Sequence, residues 1–338
     1  MVIICVDPGD TVLCAKALSL AIKGGDDFAC ISLQRGVRNF AGMKSQLHDH
    51  SIVLDGAVGL SIFRSPLDGS LSCLDSGCLV LQRLTKEQAK EGLKFVNLLC
   101  SSGIRVRHCK NITCFTHGAL IFQTVEATAA LTGLSLDKHL MDHHSRLVWA
   151  AMIREGLKVL TAASRGGSWH ASNACCSLTL RQLELFLCLP SWVFGALSYL
   201  LLGIPAHTPR HMCAAMQVDL AEGRATAVDW TLGEMVRLAR RNNVQTPACS
   251  AVLAAVKEAM ENGDGVPSFK PEVLYEITGQ SSESVLALYR KLVAWMSSLT
   301  LVFVVVNVIA GIVPALILLT VTCLVAAIKY IIIADTVP

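Results

Sequence analysis

The C-terminal part of the chain contains an uncharged segment that is long enough to cross a lipid bilayer. Met296–Ile328 is a run of 33 residues without an acidic or basic side chain, whereas about 20 apolar residues suffice to cross about 30 Å of hydrocarbon. Arg290 and Lys291 precede the run, as cationic side chains often do at a membrane interface. The sequence therefore predicts one transmembrane helix over residues 296–330. A re-entrant hairpin around Pro314 and a buried core helix are the alternatives.

The position of this segment predicts how the chain meets the membrane. Only eight residues follow residue 330, so the ribosome would release the chain almost as soon as the span emerges. We therefore expect a single-pass tail anchor, inserted after synthesis, with the N-terminal bulk in the cytosol. The N-terminus agrees with this expectation, because Val2–Val6 is too short for the apolar core of a signal peptide and Asp7 ends it.

Composition excludes several classes of protein. Hydrophobic residues make up 53% of the chain and charged residues 16%, which is too apolar for a disordered protein. The 29 basic and 26 acidic residues are spread without a block of like charge, so the chain lacks the electrostatic footprint of a nucleic-acid-binding protein. The 14 cysteines include no C-x-x-C spacing, which fits neither a zinc module nor a disulfide framework.

Hydrophobic periodicity divides the rest of the chain into two halves. Short apolar runs separated by Gly, Pro and Asp predict an α/β domain over residues 1–108. From residue 109 to residue 279 the period becomes that of helices, and residues 280–295 form a linker to the membrane segment. The predicted helices of this second half are 116–132, 138–163, 179–188, 191–202, 211–221, 226–242 and 247–262.

The α/β half lacks the phosphate-binding motif that such a domain often carries. A dinucleotide-binding domain opens with a strand, a G-x-G-x-x-G turn and a helix whose N-terminus binds the pyrophosphate. This pattern does not occur in the 338 residues, and neither does a Walker A or a G-x-S-x-G motif. The general motifs therefore do not identify an enzyme.

Two groups of local patterns nevertheless resemble one enzyme family. Ile3–Thr11 and the stretch Ile31-Ser-Leu-Gln-Arg-Gly-Val-Arg-Asn39 resemble ketopantoate reductase (2-dehydropantoate 2-reductase) from the fourth strand of its NADPH domain onward. Asn111–Gly133 and Met216-x-x-Asp219-Leu-x-x-Gly-Arg224 resemble its helical C-terminal domain. The resemblance implies a partial Rossmann-like α/β sheet that lacks its first strands, followed by an all-α domain like the C-terminal domain of 6-phosphogluconate dehydrogenase.

The resemblance also implies where a catalytic site would lie. The family reduces 2-dehydropantoate to pantoate with NADPH, and it uses a lysine as proton donor and two asparagines that hold the substrate. In this chain the lysine position is Ala119, and the asparagine positions are Gln123 and Glu126. Further substrate-site positions of the family fall on Ala215 (or Ala214), Ala227 and Leu232, and its cofactor-binding turn falls on Gln34, Arg35 and Gly36.

These substitutions predict a scaffold retained around a degenerate active site. We expect the chain to be catalytically inactive and not to bind NADPH. Glu126 leaves one catalytic alternative open, because it shares a helix face with residues 119 and 123 and could donate a proton. The positions that match the family are turn, cap and helix-contact residues, namely Gln34, Gly36, Asn39, Gly118, Asp219, Gly223, Arg224, Thr226, Asp229 and Gly233.

Three functional hypotheses follow from this pattern. The first is a membrane-tethered, inactive relative of the reductase that acts by binding. The second is an active NADPH-dependent 2-oxo acid reductase whose N-terminal part lies outside this chain, and the third is a nonfunctional fragment. A free edge on the Val2–Val6 strand would also allow a homodimer or another protein partner.

One group of histidines has a spacing that metal sites use. His139 and His143 are four residues apart, and Asp142 and His144 are adjacent to them. The group lies where a long helix begins, so we expect a solvated helix start that binds no metal.

Overall fold

The computed structural model describes most of the chain up to Gly279. The described residues are 2–22, 28–47, 52–59, 61–64, 71–74, 78–84, 89–164, 171–172, 174, 178–202 and 213–279. Within these ranges no helix is both long enough and apolar enough to cross a membrane. The predicted linker 280–295 and the predicted transmembrane helix 296–330 lie outside the described residues, so the membrane span stays a prediction.

Five strands form a mixed sheet in the N-terminal half. The sheet order is β1-β2-β3-β6-β7, and every neighbouring pair is parallel except β3 and β6. β4 and β5 form a separate antiparallel hairpin, which the sequence did not predict as such. The strands of the described residues are β1 (Val2–Ile4), β2 (Ala29–Ser32), β3 (Ile52–Val58), β4 (Ser61–Arg64), β5 (Leu71–Leu74), β6 (Leu79–Gln82) and β7 (Val106–Cys109).

Helices cover both faces of this sheet, as its apolar strands require. All four residues of β2 are buried, which is typical of an interior strand of a parallel sheet. Because side chains alternate along a strand, Cys30 packs on one face with Met43, and Ile31 packs on the other face with Val96. The helices that supply these contacts are α1 (Thr11–Ala21) and α2 (Asn39–Lys44) on the first face and α3 (Ala89–Ser101) on the second.

The strand at the end of the sheet leaves one edge free. β1 pairs only with β2 among the described strands, and the side chain of Ile3 is 44% exposed. The strand ends at Ile4 rather than at Val6, because a 3-10 turn begins at Pro8. The free edge expected from the sequence is therefore present in this part of the chain, and association of a second copy through it stays a prediction.

The C-terminal half is helical throughout its described residues, as the sequence predicted. The change from sheet to helix falls between β7 and the first of these helices, close to residue 108. The α-helices are α4 (Ile112–Phe122), α5 (Thr124–Thr132), α6 (Leu136–Met141), α7 (His143–Ala163), α8 (Leu180–Leu187), α9 (Ser191–Leu202), α10 (Ala215–Ala221), α11 (Leu232–Arg241), α12 (Pro247–Asn262) and α13 (Pro271–Ile277), and Ala227–Trp230 is a 3-10 helix.

Three of the predicted helices are divided by local backbone geometry. The predicted helix 226–242 breaks at Thr231, between the 3-10 helix Ala227–Trp230 and α11. The predicted helix 116–132 breaks at Gln123, whose carbonyl accepts a hydrogen bond from the amide of Glu126 at 3.0 Å, the tighter spacing of a 3-10 turn. The predicted helix 138–163 breaks at Asp142, whose ψ of 132° is extended. Its carboxylate accepts a hydrogen bond from Ser145 N at 2.7 Å, so Asp142 is the N-cap of α7. Hydrophobic periodicity does not detect such breaks, because the apolar stripe continues across them.

A buried carboxylate on α7 caps the start of α12. Glu155 Oε1 accepts a hydrogen bond from Ala248 N and Glu155 Oε2 accepts one from Cys249 N, each at 2.9 Å. These amides belong to the first turn of α12, where backbone N–H groups have no partner within the helix. The negative charge also favours the positive end of the helix dipole. Glu155 thus fixes the N-terminus of α12 on α7.

A buried guanidinium at the start of α7 connects four helices. Arg146 is 1% exposed, and its Cζ lies 4.3 Å from the ring centroid of Phe194 in α9, a cation–π contact. Its N–H groups donate to backbone carbonyls at the end of α6 and just after α8. These carbonyls belong to Leu140 (3.1 Å), Met141 (2.8 Å), Leu187 (3.2 Å) and Leu189 (3.1 Å).

We expect the Glu155→Ala substitution to lower the free energy of unfolding by about 3–6 kcal/mol. The substitution removes two hydrogen bonds to a charged acceptor, each worth about 1.5–3 kcal/mol, and leaves two buried amides without a partner. Equilibrium urea unfolding of the full-length chain, followed by tryptophan fluorescence, measures the change. The matched control is Glu258→Ala at an exposed position of α12, for which we expect a change within about 0.5 kcal/mol. Equal effects of the two substitutions would contradict the capping role of Glu155.

Candidate functional site

The loop that follows β2 is held against the start of α1 by amide side chains. Gln34 Nε2 donates to Val6 O and to Thr11 Oγ1, both at 2.8 Å, and Asn39 Nδ2 donates to Arg35 O at 2.5 Å. These bonds fix residues 34–39 at the end of the strand, where a parallel sheet of this kind binds its ligands. Two of the three predicted cofactor positions, Gln34 and Arg35, therefore serve the fold through these bonds.

The third of these positions, Gly36, meets the helical half of the chain directly. Gly36 has a φ of 92°, and a Cβ at this position would lie 3.0 Å from Trp230 O. Any other residue would be strained here, because L-amino acids rarely adopt this φ and because the backbone of the 3-10 helix Ala227–Trp230 is close. The retained glycine thus permits a close contact between the two halves.

An ion pair joins the two halves at two of the predicted site residues. Arg35 Nη1 lies 2.5 Å from Glu126 Oε2, and the two side chains are 37% and 18% exposed. Arg35 occupies the predicted cofactor turn, whereas Glu126 lies in the first turn of α5 at a predicted substrate-holding position. The structure therefore brings these two residues together, although it joins them to each other and not around an open cleft.

A second ion pair crosses the same boundary. Arg38 Nε lies 3.0 Å from Glu234 Oε2, and Glu234, which is 2% exposed, also accepts hydrogen bonds from Arg237. The guanidinium of Arg38 lies over the Trp230 ring, 5.1 Å from its centroid. Sequence reasoning did not identify Arg38, Trp230 or Glu234 as part of the site. Their only signal was that Arg38 and Glu234 lie within stretches that resemble the family.

The position that corresponds to the proton donor is apolar and nearly closed. Ala119 is 8% exposed and Leu232, at the start of α11, is fully buried. Gln123 is half-buried, and its Oε1 atom has no hydrogen-bond partner among the described residues. His117 is two residues from Ala119 on α4, which is about 200° round the helix, and its Nδ1 lies 2.9 Å from Thr113 O. Burial lowers the pKa of its imidazole. None of these groups is a proton donor at the Ala119 position.

The remaining predicted substrate-site residues, Ala227 and Ala215 (or Ala214), have no described contact with the Arg35–Glu126 ion pair. Ala227 is half-buried in the 3-10 helix that contacts Gly36. Ala214 is 5% exposed and Ala215 is exposed at the start of α10, which packs on α5. The structure brings Ala227 close to the boundary between the two halves. No described contact joins Ala215 to Arg35 or to Glu126.

A short backbone segment after α7 covers α4 beside Ala119. Ser172 N donates to Cys114 O at 3.0 Å, and a Cβ added to Gly118 would lie only 2.0 Å from Ser172 O. Ala174 packs in the same way on Gly59, where an added Cβ would lie 2.3 Å from Ala174 O. The glycine at position 118 is required by this backbone contact, which also narrows access to α4.

The predicted histidine group separates into a buried residue and surface residues. His139 is 1% exposed, so the expectation of a solvated helix start is wrong for this residue. Its Nε2 lies 2.9 Å from Thr128 Oγ1 and its Nδ1 lies 3.1 Å from Thr132 Oγ1. Burial lowers the pKa of His139 to about 4, so the ring is neutral at physiological pH. The threonine hydroxyls of α5 explain how the ring is tolerated in the core.

The structure brings a different set of residues to metal-ligand spacing. Asp142, His144 and Glu272 each have one possible ligand atom within 4.8 Å of the others. Among the described residues this is the one group of three such side chains at metal-ligand spacing. His144 Nδ1 lies 3.7 Å from Glu272 Oε1, while the carboxylate of Asp142 already caps α7. The group sits at the positive end of a helix, where the dipole disfavours a cation. Glu272 was not a predicted ligand, because α13 was not predicted.

The fold defines a class of protein, and one family model matches part of the chain. A mixed sheet with helices on both faces, followed by an all-helical half, is of the Rossmann-like class with a helical C-terminal domain. Residues 118–261 match the family described as "Ketopantoate reductase PanE/ApbA C terminal". This part of the chain is therefore similar to the C-terminal domain of ketopantoate reductases, in agreement with the resemblance in the sequence. A comparison with curated proteins gave no match.

Solved structures share the fold at low sequence identity. A PanE/ApbA family ketopantoate reductase from Ralstonia eutropha JMP134 is 20% identical, with a TM-score of 0.55, over 77% of this chain and 76% of that chain. A D-mandelate dehydrogenase in complex with NADH is 15% identical, with a TM-score of 0.58, over 77% and 78% of the two chains. A dimeric ketopantoate reductase from Staphylococcus aureus is 16% identical, with a TM-score of 0.53, over 78% of each chain. At these identities the likeness concerns the fold alone.

We expect His139 to make the stability of the protein depend on pH. Its pKa is about 4 in the folded state and about 6.5 in an unfolded chain. Between these values the unfolded state binds the proton and the folded state does not, so stability is complete above pH 6.5 and falls as the pH decreases towards 4. The loss due to this one residue reaches about 3 kcal/mol at the acid end.

Urea unfolding of the full-length chain at a series of pH values measures this dependence. His139→Gln removes the titrating group, so the slope of unfolding free energy against pH should become smaller by up to one proton between pH 4 and 6.5. His108→Gln in β7, at an exposed position, is the control and should leave the slope unchanged. An unchanged slope in the His139 variant would show that the buried ring is not the cause.

Proposed function

We propose that this chain is a ketopantoate-reductase-like protein that acts by binding, does not reduce a 2-oxo acid, and is held on a membrane by residues 296–330. The observation that carries the first part is the Arg35–Glu126 ion pair. It joins a residue of the predicted cofactor turn to a predicted substrate-holding residue at 2.5 Å, and the predicted proton-donor position is an alanine, Ala119. The side chains that would have to face a ligand are thus bonded to each other.

The reduction of a 2-oxo acid has chemical requirements that this site does not meet. The carbonyl oxygen needs a proton donor within hydrogen-bond distance, and the substrate carboxylate needs donors that bind it. Alanine at position 119 offers no proton. The carboxylate of Glu126 would repel an anionic substrate, and the nearby guanidinium of Arg35 is already engaged by it.

The described residues also do not fit the nicotinamide cofactor that the family uses. Gln34 donates its amide hydrogens to Val6 and Thr11, and Gly36 is backed by the main chain of Trp230. The sequence contains no G-x-G-x-x-G turn that would offer backbone amides to a pyrophosphate. We therefore assign no step of a reaction to NADPH in this chain.

The membrane part of the proposal is supported by the sequence. The uncharged run Met296–Ile328 exceeds the length that a bilayer core requires. As a straight helix of 1.5 Å per residue it would measure about 50 Å, so a tilt or a kink at Pro314 is expected. Arg290 and Lys291 would remain on the cytosolic side, although Lys329 beyond the run weakens this charge asymmetry.

We expect the full-length chain neither to bind NADPH nor to consume it in the presence of 2-dehydropantoate. Titration of NADPH, followed by nicotinamide fluorescence, measures binding, and the decrease of NADPH absorbance measures turnover. Ala119→Lys alone should not create activity, since several other site positions differ and one missing donor costs about 10²–10³-fold in rate. Ala119→Met, which is similar in size but has no proton donor, is the matched control.

Two outcomes of this experiment would contradict the proposal. Tight binding of NADPH by the unmodified chain would favour the alternative, an active NADPH-dependent 2-oxo acid reductase. NADPH consumption by Ala119→Lys, but not by Ala119→Met, would show that the remaining site is intact. Circular dichroism of each variant ensures that a lack of binding does not result from unfolding.

We expect the full-length chain to stay with the membrane fraction after alkaline carbonate extraction. Replacing both Ile309 and Val313 with Arg places two charges near the middle of the run, at a cost of about 2.5–3.5 kcal/mol each for insertion. This variant should move to the supernatant, whereas replacing the same two residues with Leu should have no effect. If the unmodified chain is extracted by carbonate, or if the Arg variant remains in the membrane, residues 296–330 are not the anchor.

A further inference from the structure

Helix α9 exposes an apolar surface. The twelve residues Ser191–Leu202 include no charged side chain, and yet Trp192 is 79% exposed. Phe194 and Ser198, which are four residues apart and share one face, are buried. Gly195 and Ala196, like Trp192, are exposed. One side of α9 therefore packs on the protein, while the other side presents apolar groups to the surroundings.

This pattern is unusual for a helix at the surface of a soluble domain. Such helices normally carry charged or polar residues on the face opposite the core. Here the uncharged run is longer than the helix itself, because it extends over the 22 residues Leu185–Ala206. Tryptophan combines an apolar ring with an N–H donor, and it is enriched where proteins meet the boundary between lipid and water.

The exposure of Trp192 does not result from a loosely held helix. The preceding residue, Ser191, accepts a hydrogen bond from Arg146 at 3.2 Å, and the ring of Phe194 contacts both Arg146 and Phe186. The start of α9 is thus fixed by the buried guanidinium at the start of α7. Trp192 projects from a rigid point of the fold.

Other exposed apolar side chains belong to elements that also contact the start of α7. Met141 precedes α7 and its carbonyl also accepts a hydrogen bond from Arg146. Helix α13 contacts the start of α7 through His144, which lies near Glu272, and it exposes two further apolar side chains. We call Met141 (45% exposed), Trp192, Val273 (43%) and Ile277 (44%) the apolar corner; these are the exposed large hydrophobic residues of the described helical half.

The course of the chain favours the membrane as the partner of this surface. Ile277 is in the last described helix, the described chain ends at Gly279, and only the 16 residues 280–295 separate it from the predicted membrane segment. A tethered domain is held at a high local concentration next to the membrane, so a small apolar surface suffices for contact. A specific dimer, by contrast, buries about 800 Å² on each partner, which is more than four partly exposed side chains provide.

We propose that the apolar corner lies on the lipid bilayer, with the ring of Trp192 at the level of the headgroups. The proposal rests on the membrane anchor of the proposed function, and it adds an orientation of the folded domain on the membrane. The lipid is recognised through its apolar boundary region, and no particular headgroup is required.

The test uses the full-length chain in phosphatidylcholine vesicles that contain lipids brominated on the upper part of the acyl chain, which quench nearby tryptophans. The chain has 5 tryptophans, and Trp295, next to the predicted span, should also be quenched. Trp192→Phe should remove a clear part of the quenched emission and leave the part due to Trp295. Trp230→Phe is the matched control, because Trp230 lies at the boundary with the α/β half, and it should leave the quenched emission unchanged.

The outcomes separate this inference from the membrane anchor. If the chain does not float with the vesicles, the anchor fails. If it floats but Trp192→Phe leaves the quenched emission unchanged, the anchor stands and the apolar corner does not contact lipid. In that case, quenching of Trp192 by aqueous acrylamide would show exposure to water. If Trp192 is protected from acrylamide and this protection is lost when the protein is diluted in lipid, a second copy covers the surface. If the protection of Trp192 does not depend on dilution, residues 296–330 cover it.

Discussion

The buried guanidinium of Arg146 is the interaction on which the arrangement of the helical half depends. A cation inside a protein is costly unless its N–H groups are all bonded, and here backbone carbonyls from two different helix ends accept those bonds. Helix ends leave carbonyl groups without a partner within the helix. Arg146 donates to such carbonyl groups at the ends of α6 and α8. The same hydrogen bonds therefore stabilise the buried guanidinium and provide a partner for the carbonyl groups.

Because these bonds converge on α7, this helix determines where its neighbours begin. Its first turns fix the start of α9 through Arg146 and contact α13 through His144. Two turns further on, Glu155 caps α12. The helical half is therefore held together by charged groups of α7 that bond to the backbone of other helices, in addition to its apolar core. Such bonds have directions, and they specify one arrangement of helices more narrowly than apolar contact does.

The sequence predicted those parts of the fold that local signals determine. Helix α12 has its predicted bounds, because Pro247 starts it and Gly263, with a φ of 69°, ends it. Helix α9 likewise has the predicted bounds and follows Pro190. The breaks at Gln123 and Asp142 could not be predicted from periodicity, since the apolar stripe does not change there. The burial of His139 depends on hydroxyl groups of α5, which come close only in the folded chain.

The contacts within the candidate site also could not be predicted from local sequence patterns. The resemblance placed Arg35 in a cofactor turn and Glu126 in a substrate position, and each substitution by itself indicates only that a family residue is absent. That the two side chains form an ion pair depends on how the sheet half meets the helical half, which no local pattern encodes. In the same way, the contacts of Arg38 with Glu234 and with Trp230 join residues that are far apart in the sequence.

The charges of Arg35 and Glu126 at this boundary stabilise each other. A carboxylate at position 126 or a guanidinium at position 35 alone would leave a partly buried charge without a partner, and such a charge is destabilising. As a pair they neutralise each other and add a charged hydrogen bond across the two halves. Alanine at position 119 and leucine at position 232 place apolar groups where an enzyme of the family would need polar ones. The two halves are therefore held together by the protein's own side chains, and closure of this boundary does not depend on a bound substrate or cofactor.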